Sequence, residues 1–279
     1  MKQLSIIMFL LFNELITSGQ KMPSDYFEEG VNYWENENID EALASFKYIV
    51  AYHPRNELFP RAFYNIGIIY FREKQYDSAT TIFKTILINN FNETEARGGD
   101  IMSDPYMNYK YWSANLLHQI YYDKQMYDSS LYYLSLSDTA YPYLHFCGNE
   151  YSSYTVQLAK NYSDLYEKLG DLSSARKALL KEIFITEPYN IVIIDALKYL
   201  YQKETSTEKA IVELDKSLKN IYSKKERREN NEYISYYFRF QGSEIKIPDH
   251  FYYYDDHFNK TEVIKKIKDT DFYKMIRDL

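Results

Sequence analysis

The chain has 279 residues and a formal net charge of −7, so the broad basic surface of a nucleic-acid-binding protein is not expected. Its single cysteine, Cys147, excludes an intramolecular disulfide and a zinc site built from several cysteines. Only 8 Gly and 7 Pro, among many helix-forming residues, favour a mainly helical fold over a sandwich or barrel.

Residues 1–19 have the pattern of a secretory signal peptide. Lys2 precedes an apolar stretch from Leu4 to Phe12, and small residues at Thr17 to Gly19 precede a cleavage site ahead of Gln20. The apolar stretch is too short for a membrane-spanning helix, which needs about 20 residues. We therefore expect an exported chain, with an uncleaved anchor or a cytoplasmic protein as the alternatives.

One helical spacing recurs five times between residues 23 and 221. In the second copy Phe63, Gly67 and Tyr70 follow the i, i+4, i+7 spacing of one helix face, and Ala79, Phe83 and Ile86 repeat the spacing after the polar turn REKQYD. The corresponding residues are Tyr26, Gly30, Tyr33, Ala42, Phe46 and Ile49 in the first copy; Ala114, His118, Tyr121, Ser130, Leu134 and Ser137 in the third; Ala159, Ser163, Tyr166, Ala175, Leu179 and Glu182 in the fourth; and Ile194, Lys198, Tyr201, Ala210, Leu214 and Ser217 in the fifth.

This pattern resembles the tetratricopeptide repeat (TPR), a helix-turn-helix unit of about 34 residues. The resemblance implies a mainly α fold, an α–α superhelix of about five helix pairs over residues 23–221. Ala42, Ala79, Ser130, Ala175 and Ala210 lie 37, 51, 45 and 35 residues apart, so loops are inserted between the units. The largest insertion is Asn92 to Pro105.

Glycine inside a helix is unfavourable by about 1 kcal/mol relative to alanine, so Gly30 and Gly67 must meet a close neighbour. We expect Gly30 to meet Ala42, and Gly67 to meet Ala79, where the paired helices cross. His118 and Ser163 take the glycine position in the next two units, which predicts wider crossings there. His118 is expected to be a hydrogen-bonded core histidine rather than a ligand.

A second stripe lies one residue further round each first helix, a turn of about 100°. In the TPR family this stripe lines the concave surface, and here it is aromatic in the first three units and charged at Lys160, Asp164 and Glu167 in the fourth. We expect it to be partly exposed and the first stripe (Tyr26, Tyr33, Phe63 and Tyr70) to be buried. The alternative is that more core, or the C-terminal segment, covers it. The predicted partner-binding groove consists of Phe27, Trp34, Tyr64, Phe71, Arg72, Trp112 and Tyr122.

Residues 222–279 differ from the repeats. The charged run SKKERRENNE (223–232) is expected to be the solvated end of the last helix and a linker. The following residues alternate apolar and polar, which predicts a β-hairpin whose type II′ turn is Gly242–Ser243 and in which Phe240 faces Ile245 and Phe238 faces Ile247. The last 20 residues predict helices interrupted near Asp269. Together they form an expected end cap, and their ending resembles the closing segment of TPR groups.

The best candidate for chemistry is the cluster of Asp249, His250, Asp255, Asp256 and His257, whose side chains could bind a divalent metal. The cluster has no His-x-x-x-His spacing and follows a proline, which favours a solvated loop. No catalytic or phosphate-binding motif is present elsewhere, so we expect neither an enzyme nor a cofactor.

The sequence therefore predicts an exported, non-catalytic protein–protein interaction module that binds a peptide or protein segment as a scaffold or adaptor. The signal and the Ile-, Lys-, Asn- and Tyr-rich composition suggest the periplasm or envelope of a bacterium. No nucleic acid and no membrane span in the mature chain are expected. One alternative is an enzyme or metal-binding function in residues 222–279 with the repeats recruiting substrate. The other is a structural subunit of an envelope assembly.

Overall fold

The computed structural model describes residues 21–97, 106–141, 143–144, 148–185, 189–203, 209–228, 231–252 and 258–279. The predicted signal peptide (1–19), its cleavage site at Gln20, Cys147 and residues 255–257 lie outside these ranges. The chain forms two compact units. The first unit contains the described residues up to Glu93 together with Asn108–Ile120, and the second contains Thr94–Met107 and Tyr121–Leu279.

The described residues are mainly helical, as predicted. They contain α1 (Pro23–Glu35), α2 (Ile39–Tyr52), α3 (Phe59–Arg72), α4 (Tyr76–Ile88), α5 (Tyr109–Asp123), α6 (Tyr127–Thr139), α7 (Gly148–Lys168), α8 (Leu172–Leu180), α9 (Tyr189–Gln202), α10 (Ala210–Leu218), β1 (Tyr222–Arg228), β2 (Asn231–Phe240), β3 (Ser243–Lys246), a 3₁₀ turn (Asp249–Phe251), α11 (Lys260–Lys268) and α12 (Asp271–Arg277). The last repeat helix thus ends at Leu218, and β1 begins four residues later.

The second helices bury the predicted stripe except at Glu182, which lies beyond the end of α8, and at Ser217; both of these are half-buried. In the first three units all predicted positions of these helices are buried, among them Phe46, Phe83 and Leu134. In the first helices of units one to four, the aromatic positions of the predicted stripe are half-buried, and its small or polar positions are buried: Gly30, Gly67, Ala114, His118, Ala159 and Ser163. In α3 the residues Ala62, Ile66 and Ile69 are buried beside Gly67. Only in the fifth unit is the prediction off by about one residue, because Ile193, Leu197 and Leu200 (with Tyr201) are buried while Lys198 is exposed.

The turn between paired helices has the same backbone geometry in four units. Glu37, Lys74, Gln125 and Gly170 have φ between 56° and 81°, and each lies five residues before the small residue of its second helix. The N–H of Gln75 bonds the Tyr70 carbonyl at 2.8 Å, and the N–H of Lys74 bonds the Phe71 carbonyl at 3.0 Å. This is the Schellman motif, which ends a helix with one left-handed residue.

Replacing Lys74 with glycine is expected to stabilise the first unit by about 1 kcal/mol, because glycine adopts a positive φ without the strain of a Cβ. The measurement is the free energy of unfolding in denaturant, followed by the fluorescence of Trp34 and Trp112. Ala44→Gly, at an exposed position inside α2, is the control and should destabilise by about 1 kcal/mol. Equal losses in both variants would contradict the assignment of the turn.

The glycine contacts differ from the prediction. A Cβ at Gly30 would lie 2.8–3.0 Å from ring carbons of Phe46. A Cβ at Gly67 would lie 2.7 Å from Cε1 of Phe83 and 2.8 Å from Cγ2 of Ile82. The nearest neighbours of the two glycines are therefore these larger side chains, where Ala42 and Ala79 were expected. The aromatic ring one helical turn beyond each alanine lies on the glycine, since only a glycine leaves room for it.

The C-terminal strands form a three-stranded antiparallel sheet in the order β1-β2-β3. The expected linker 223–232 is largely strand, because β1 pairs along its length with β2. The predicted hairpin register is also wrong: Phe240 pairs with Ser243, and Phe238 pairs with Ile245. Gln241 and Gly242 both have positive φ, so the turn is type I′ and lies one residue earlier than predicted.

The sheet and α11–α12 share one hydrophobic core with the last repeat helices of the second unit. Phe184 stands edge-on to Phe238, Phe251 and Phe272, with ring centroids 5.9–6.2 Å apart. At the hairpin turn, the side-chain oxygen of Gln241 accepts hydrogen bonds from the Tyr201 hydroxyl (2.7 Å) and from Nε of Arg176 (3.2 Å). The C-terminal residues thus cover the apolar side of α8–α10, as an end cap does.

Candidate functional site

The structure places six of the seven predicted groove residues in the first unit. Phe27 and Trp34 lie on α1, Tyr64, Phe71 and Arg72 lie on α3, and Trp112 lies on α5. All five aromatic rings are half-buried, and Arg72 is exposed. The seventh residue, Tyr122, belongs to the second unit, where burial and the charge of Asp164 raise the pKa of its hydroxyl. We call the six residues of the first unit the aromatic face.

Arg72 and Trp34 join the C-terminal ends of α1 and α3. The guanidinium carbon of Arg72 lies 4.9 Å from the Trp34 ring centroid, which is the distance of a cation–π contact. Trp34 and Phe27 also pack against the buried residues of the first unit. The Trp34 ring therefore contacts the hydrophobic core and the guanidinium of Arg72. Because Arg72 is exposed and a guanidinium carries five N–H donors, the same group can also receive a carboxylate.

Tyr64 makes the corresponding link between α3 and α5. Its ring lies 6.2 Å from the buried Phe83 and 5.7 Å, edge-on, from the buried Tyr109. Phe27 rests edge-on against Phe46 at 5.4 Å. Trp112 likewise stands edge-on to the buried Tyr111 at 4.9 Å, so three rings of the face rest on core aromatics, an arrangement that aromatic pairs favour.

The sharp contrast expected between the two stripes is not found. Tyr26, Tyr33, Phe63 and Tyr70 were expected to be buried, but all four are half-buried like the aromatic face. The Phe63 ring stacks on Phe59 at 5.7 Å instead of entering the core. Because the small residue at the crossing brings the helix backbones close, large rings on either side of it are pushed to the edges of the interface.

Two side-chain amides of α5, those of Asn115 and Gln119, extend the aromatic face. Neither residue was among the predicted groove residues. The Asn115 amide donates to the Tyr111 hydroxyl at 3.3 Å, and the Gln119 amide donates to the Asn115 side-chain oxygen at 3.1 Å. Both residues lie on the same stripe as Trp112. Their place on that stripe was the available signal, and side-chain amides can bond the backbone of an extended chain.

The N-terminus of α5 is fixed by a distant carboxylate. Oε1 of Glu93 accepts a hydrogen bond from the backbone N–H of Lys110 at 2.7 Å. Burial raises the pKa of this carboxyl group, and bonds from the backbone of α5 oppose that rise. Glu93 therefore holds α5 in place after the long insertion of which 98–105 lie outside the described residues.

The charged residues of the stripe in the second unit form ion pairs within that unit. Lys160 and Asp164 pair at 3.1 Å one helical turn apart. Glu167 forms an ion pair with Lys203 and accepts a hydrogen bond from the Tyr199 hydroxyl at 3.2 Å. The charged groups of this stripe are thus paired with one another. The guanidinium of Arg72, by contrast, is exposed beside Trp34.

The predicted metal cluster is only partly described. Oδ1 of Asp249 accepts a hydrogen bond from the Tyr252 hydroxyl at 2.6 Å, and His250 stands edge-on to Phe251. In the part of the chain that the structure describes, no three His, Cys, Asp or Glu side chains are grouped as a metal site requires. Within the same residues, no helix has both the length and the apolar character needed to cross a membrane.

No protein-family model and no curated protein matches the chain. A tetratricopeptide repeat protein from Parabacteroides merdae is a similar solved structure, with 16% identity, a TM-score of 0.38, and coverage of 77% of this chain and 72% of that chain. A thermophilic TPR protein from Thermus thermophilus has 17% identity and a TM-score of 0.35, and covers 71% of this chain and 91% of that chain. TM-scores this low do not define a fold. The helix pairs, their repeated turns and their buried stripes are what this chain shares with tetratricopeptide repeats.

Proposed function

We propose that the chain is a non-catalytic interaction module whose aromatic face binds an extended segment of a partner protein. The observation that carries the proposal is the row of half-buried rings on three successive first helices, with the exposed Arg72 beside Trp34. Tryptophan, tyrosine and arginine are the residues that dominate the energetics of protein interfaces. Rings that are already fixed lose little conformational entropy when a partner covers them.

The spacing of the face suits an extended peptide. Packed helices lie about 8–10 Å apart, and an extended chain advances about 3.3–3.6 Å per residue. A bound strand could therefore reach from one first helix to the next within a few residues. Apolar side chains would rest on the rings, a carboxylate would pair with Arg72, and the amides of Asn115 and Gln119 would bond the peptide backbone.

We further propose that the protein acts outside the cytoplasm, in the periplasm or at the envelope. The support for this is the signal-peptide pattern of residues 1–19. In this proposal the protein is a scaffold or adaptor. Its partner carries an extended segment that contains apolar residues and one carboxylate.

Phe71→Ala is expected to weaken peptide binding about 30-fold, the effect of losing an aromatic anchor of about 2 kcal/mol. Peptides would be selected from a displayed random library on the full chain, and the selected peptide would be titrated by calorimetry against wild type and variant. Arg72→Gln is expected to lower the affinity only for peptides that carry a carboxylate side chain.

Tyr52→Ala is the matched control, because this ring lies on α2 and is 70% exposed. It should leave the affinity unchanged. Peptides whose binding is lost with Tyr52→Ala and kept with Phe71→Ala would place the binding site on another surface.

A further inference from the structure

The sheet of the second unit has an edge that the proposed function does not use. The order β1-β2-β3 gives the sheet two outer edges, and the edge of β3 lies beside α8. β1 pairs with β2 along all its 7 residues, and in the part of the chain that the structure describes no strand pairs with its other side. The outer edge of β1 therefore presents the unpaired backbone groups to which a further strand can bond.

Three residues of β1 direct their backbone hydrogen-bonding groups away from the sheet. The N–H of Ile247 donates to the Tyr236 carbonyl at 2.8 Å, so the backbone of Tyr236 points to β3 and that of Tyr237 points to β1. Because successive residues of a strand alternate between its two edges, the residues of β1 that bond β2 are Tyr222, Lys224 and Glu226. The residues whose N–H and C=O groups point outward are Ser223, Lys225 and Arg227, and no backbone hydrogen bond from another described residue reaches them.

The side chains on this edge are basic. Lys225 and Arg227 are exposed, and neither forms an ion pair with a described residue. The exposed Glu232 lies opposite Arg227 in the ladder, and Ile234 lies opposite Lys225. The other charged side chains described on β1 are paired within the sheet, Lys224 with Glu244 and Glu226 with Lys246. Two cations without an ion-pair partner thus stand on one face of the edge strand, because alternate residues share a face.

The two cations determine which strand the edge accepts. Opposite charges that face each other across a ladder stabilise it, and like charges destabilise it. Pairing with the β1 edge of a second copy would place Lys225 and Arg227 against the same residues, which disfavours self-association as edge lysines do in other sheets. A strand with carboxylates at alternate positions would instead place one carboxylate opposite each cation.

We propose that the outer edge of β1 binds an extended acidic segment of a partner protein as a fourth, antiparallel strand. The segment bonds the backbone of Ser223, Lys225 and Arg227, and its alternate carboxylates pair with the two cations. In this β-augmentation the main-chain hydrogen bonds supply affinity and the side chains supply specificity. The edge shares no residue with the aromatic face, so either proposal can fail without the other.

Two synthetic peptides of the length of β1 test the charge preference by calorimetry on the full chain. One alternates valine with glutamate, and the other has lysine in place of each glutamate. The acidic peptide should bind about tenfold more tightly. General attraction to a chain of net charge −7 would favour the lysine peptide instead. Equal affinities, or no saturable binding of the acidic peptide at millimolar concentration, would overturn the proposal and leave the cations as groups that keep the edge from pairing.

N-methylated forms of the acidic peptide test the backbone pairing on the unchanged protein. In an antiparallel ladder the glutamates opposite Lys225 and Arg227 donate their own N–H groups to β1, and the valine N–H groups point away. Methylation of the glutamate amides should weaken binding about tenfold, and methylation of the valine amides should change it less than about threefold. Binding that survives methylation of the glutamate amides would show that the peptide is not a strand of this sheet.

Variants then locate the site. Lys225→Glu with Arg227→Glu should weaken the acidic peptide about tenfold and make the lysine peptide the tighter ligand, which an unfolded edge could not do. The control, Lys168→Glu with Lys198→Glu, makes the same change in net charge at exposed positions of α7 and α9 and should leave the preference unchanged.

Three outcomes with these proteins would contradict the proposal. Equal losses in the two double variants would mean that the peptide responds to net charge alone. Loss of the acidic peptide with Phe71→Ala would place it on the aromatic face. A wild-type chain that sediments as a dimer, and that Lys225→Glu with Arg227→Glu converts to a monomer, would place a second copy on the edge.

Discussion

Phe83→Ala is expected to lower the free energy of unfolding of the first unit by about 3–5 kcal/mol. Phe83 is 0% exposed, and its ring fills the space that Gly67 leaves open. Removing the ring leaves a cavity that the crossing helices cannot close, because their separation is set by the glycine and by Ile82. It also removes the core ring on which Tyr64 rests.

Denaturant unfolding followed by tryptophan fluorescence measures this loss, since Trp34 and Trp112 are the chain's 2 tryptophans and both lie in the first unit. Ile88→Ala is the control from the same helix. Ile88 is 84% exposed, so its truncation should change the free energy of unfolding by less than about 0.5 kcal/mol. A loss below about 1 kcal/mol for Phe83→Ala would mean that the ring does not form the centre of the core.

Gly67→Leu is expected to destabilise the first unit by about 1–3 kcal/mol through overpacking. Even the Cβ would lie 2.7 Å from Phe83 and 2.8 Å from Ile82, closer than atoms can approach without displacement. The loss should appear although leucine is a better helix former than glycine by several tenths of a kcal/mol.

Gly148→Leu provides the same substitution without the crowding. A Cβ at Gly148, the first residue of α7, meets no atom within 4 Å. This variant should be neutral or slightly stabilising. Equal destabilisation at Gly67 and Gly148 would show that the close contact with Phe83 does not limit the packing. Ser163→Leu should cost less than Gly67→Leu, because that crossing already accepts a side chain.

The second helices of the repeats could be predicted from sequence almost residue by residue. Their apolar positions recur at helical spacing with polar residues between them, so Ala79, Phe83 and Ile86 can only face inward. The first helices have aromatic residues on neighbouring stripes, such as Phe63 and Tyr64. Periodicity cannot decide between two adjacent large rings, and both became half-buried.

The C-terminal strands show where local pattern fails. Residues 223–232 are too charged to predict a strand, yet β1 forms because its backbone pairs with β2 and its charges pair across the sheet. Lys224 pairs with Glu244, and Lys246 pairs with Glu226 at 2.8 Å. The hairpin turn likewise differs from the prediction because Gln241 has a positive φ. Positive φ is uncommon for residues other than glycine, so the sequence does not indicate it here.

The aromatic face could be proposed from the stripe alone, but its supporting contacts could not. The cation–π contact of Arg72 with Trp34 and the edge-on contact of Tyr64 with Tyr109 join residues of different repeats.

The most direct test of the aromatic face uses the two tryptophans, because Trp34 and Trp112 both belong to it. Acrylamide quenching of tryptophan fluorescence would be measured on the full chain with and without the selected peptide, with Tyr52→Ala as the control. Binding should shift the emission to shorter wavelength and reduce quenching, and Phe71→Ala should require a higher peptide concentration for the same change. A peptide that binds tightly in calorimetry and leaves tryptophan emission and quenching unchanged would contradict a binding site on this face.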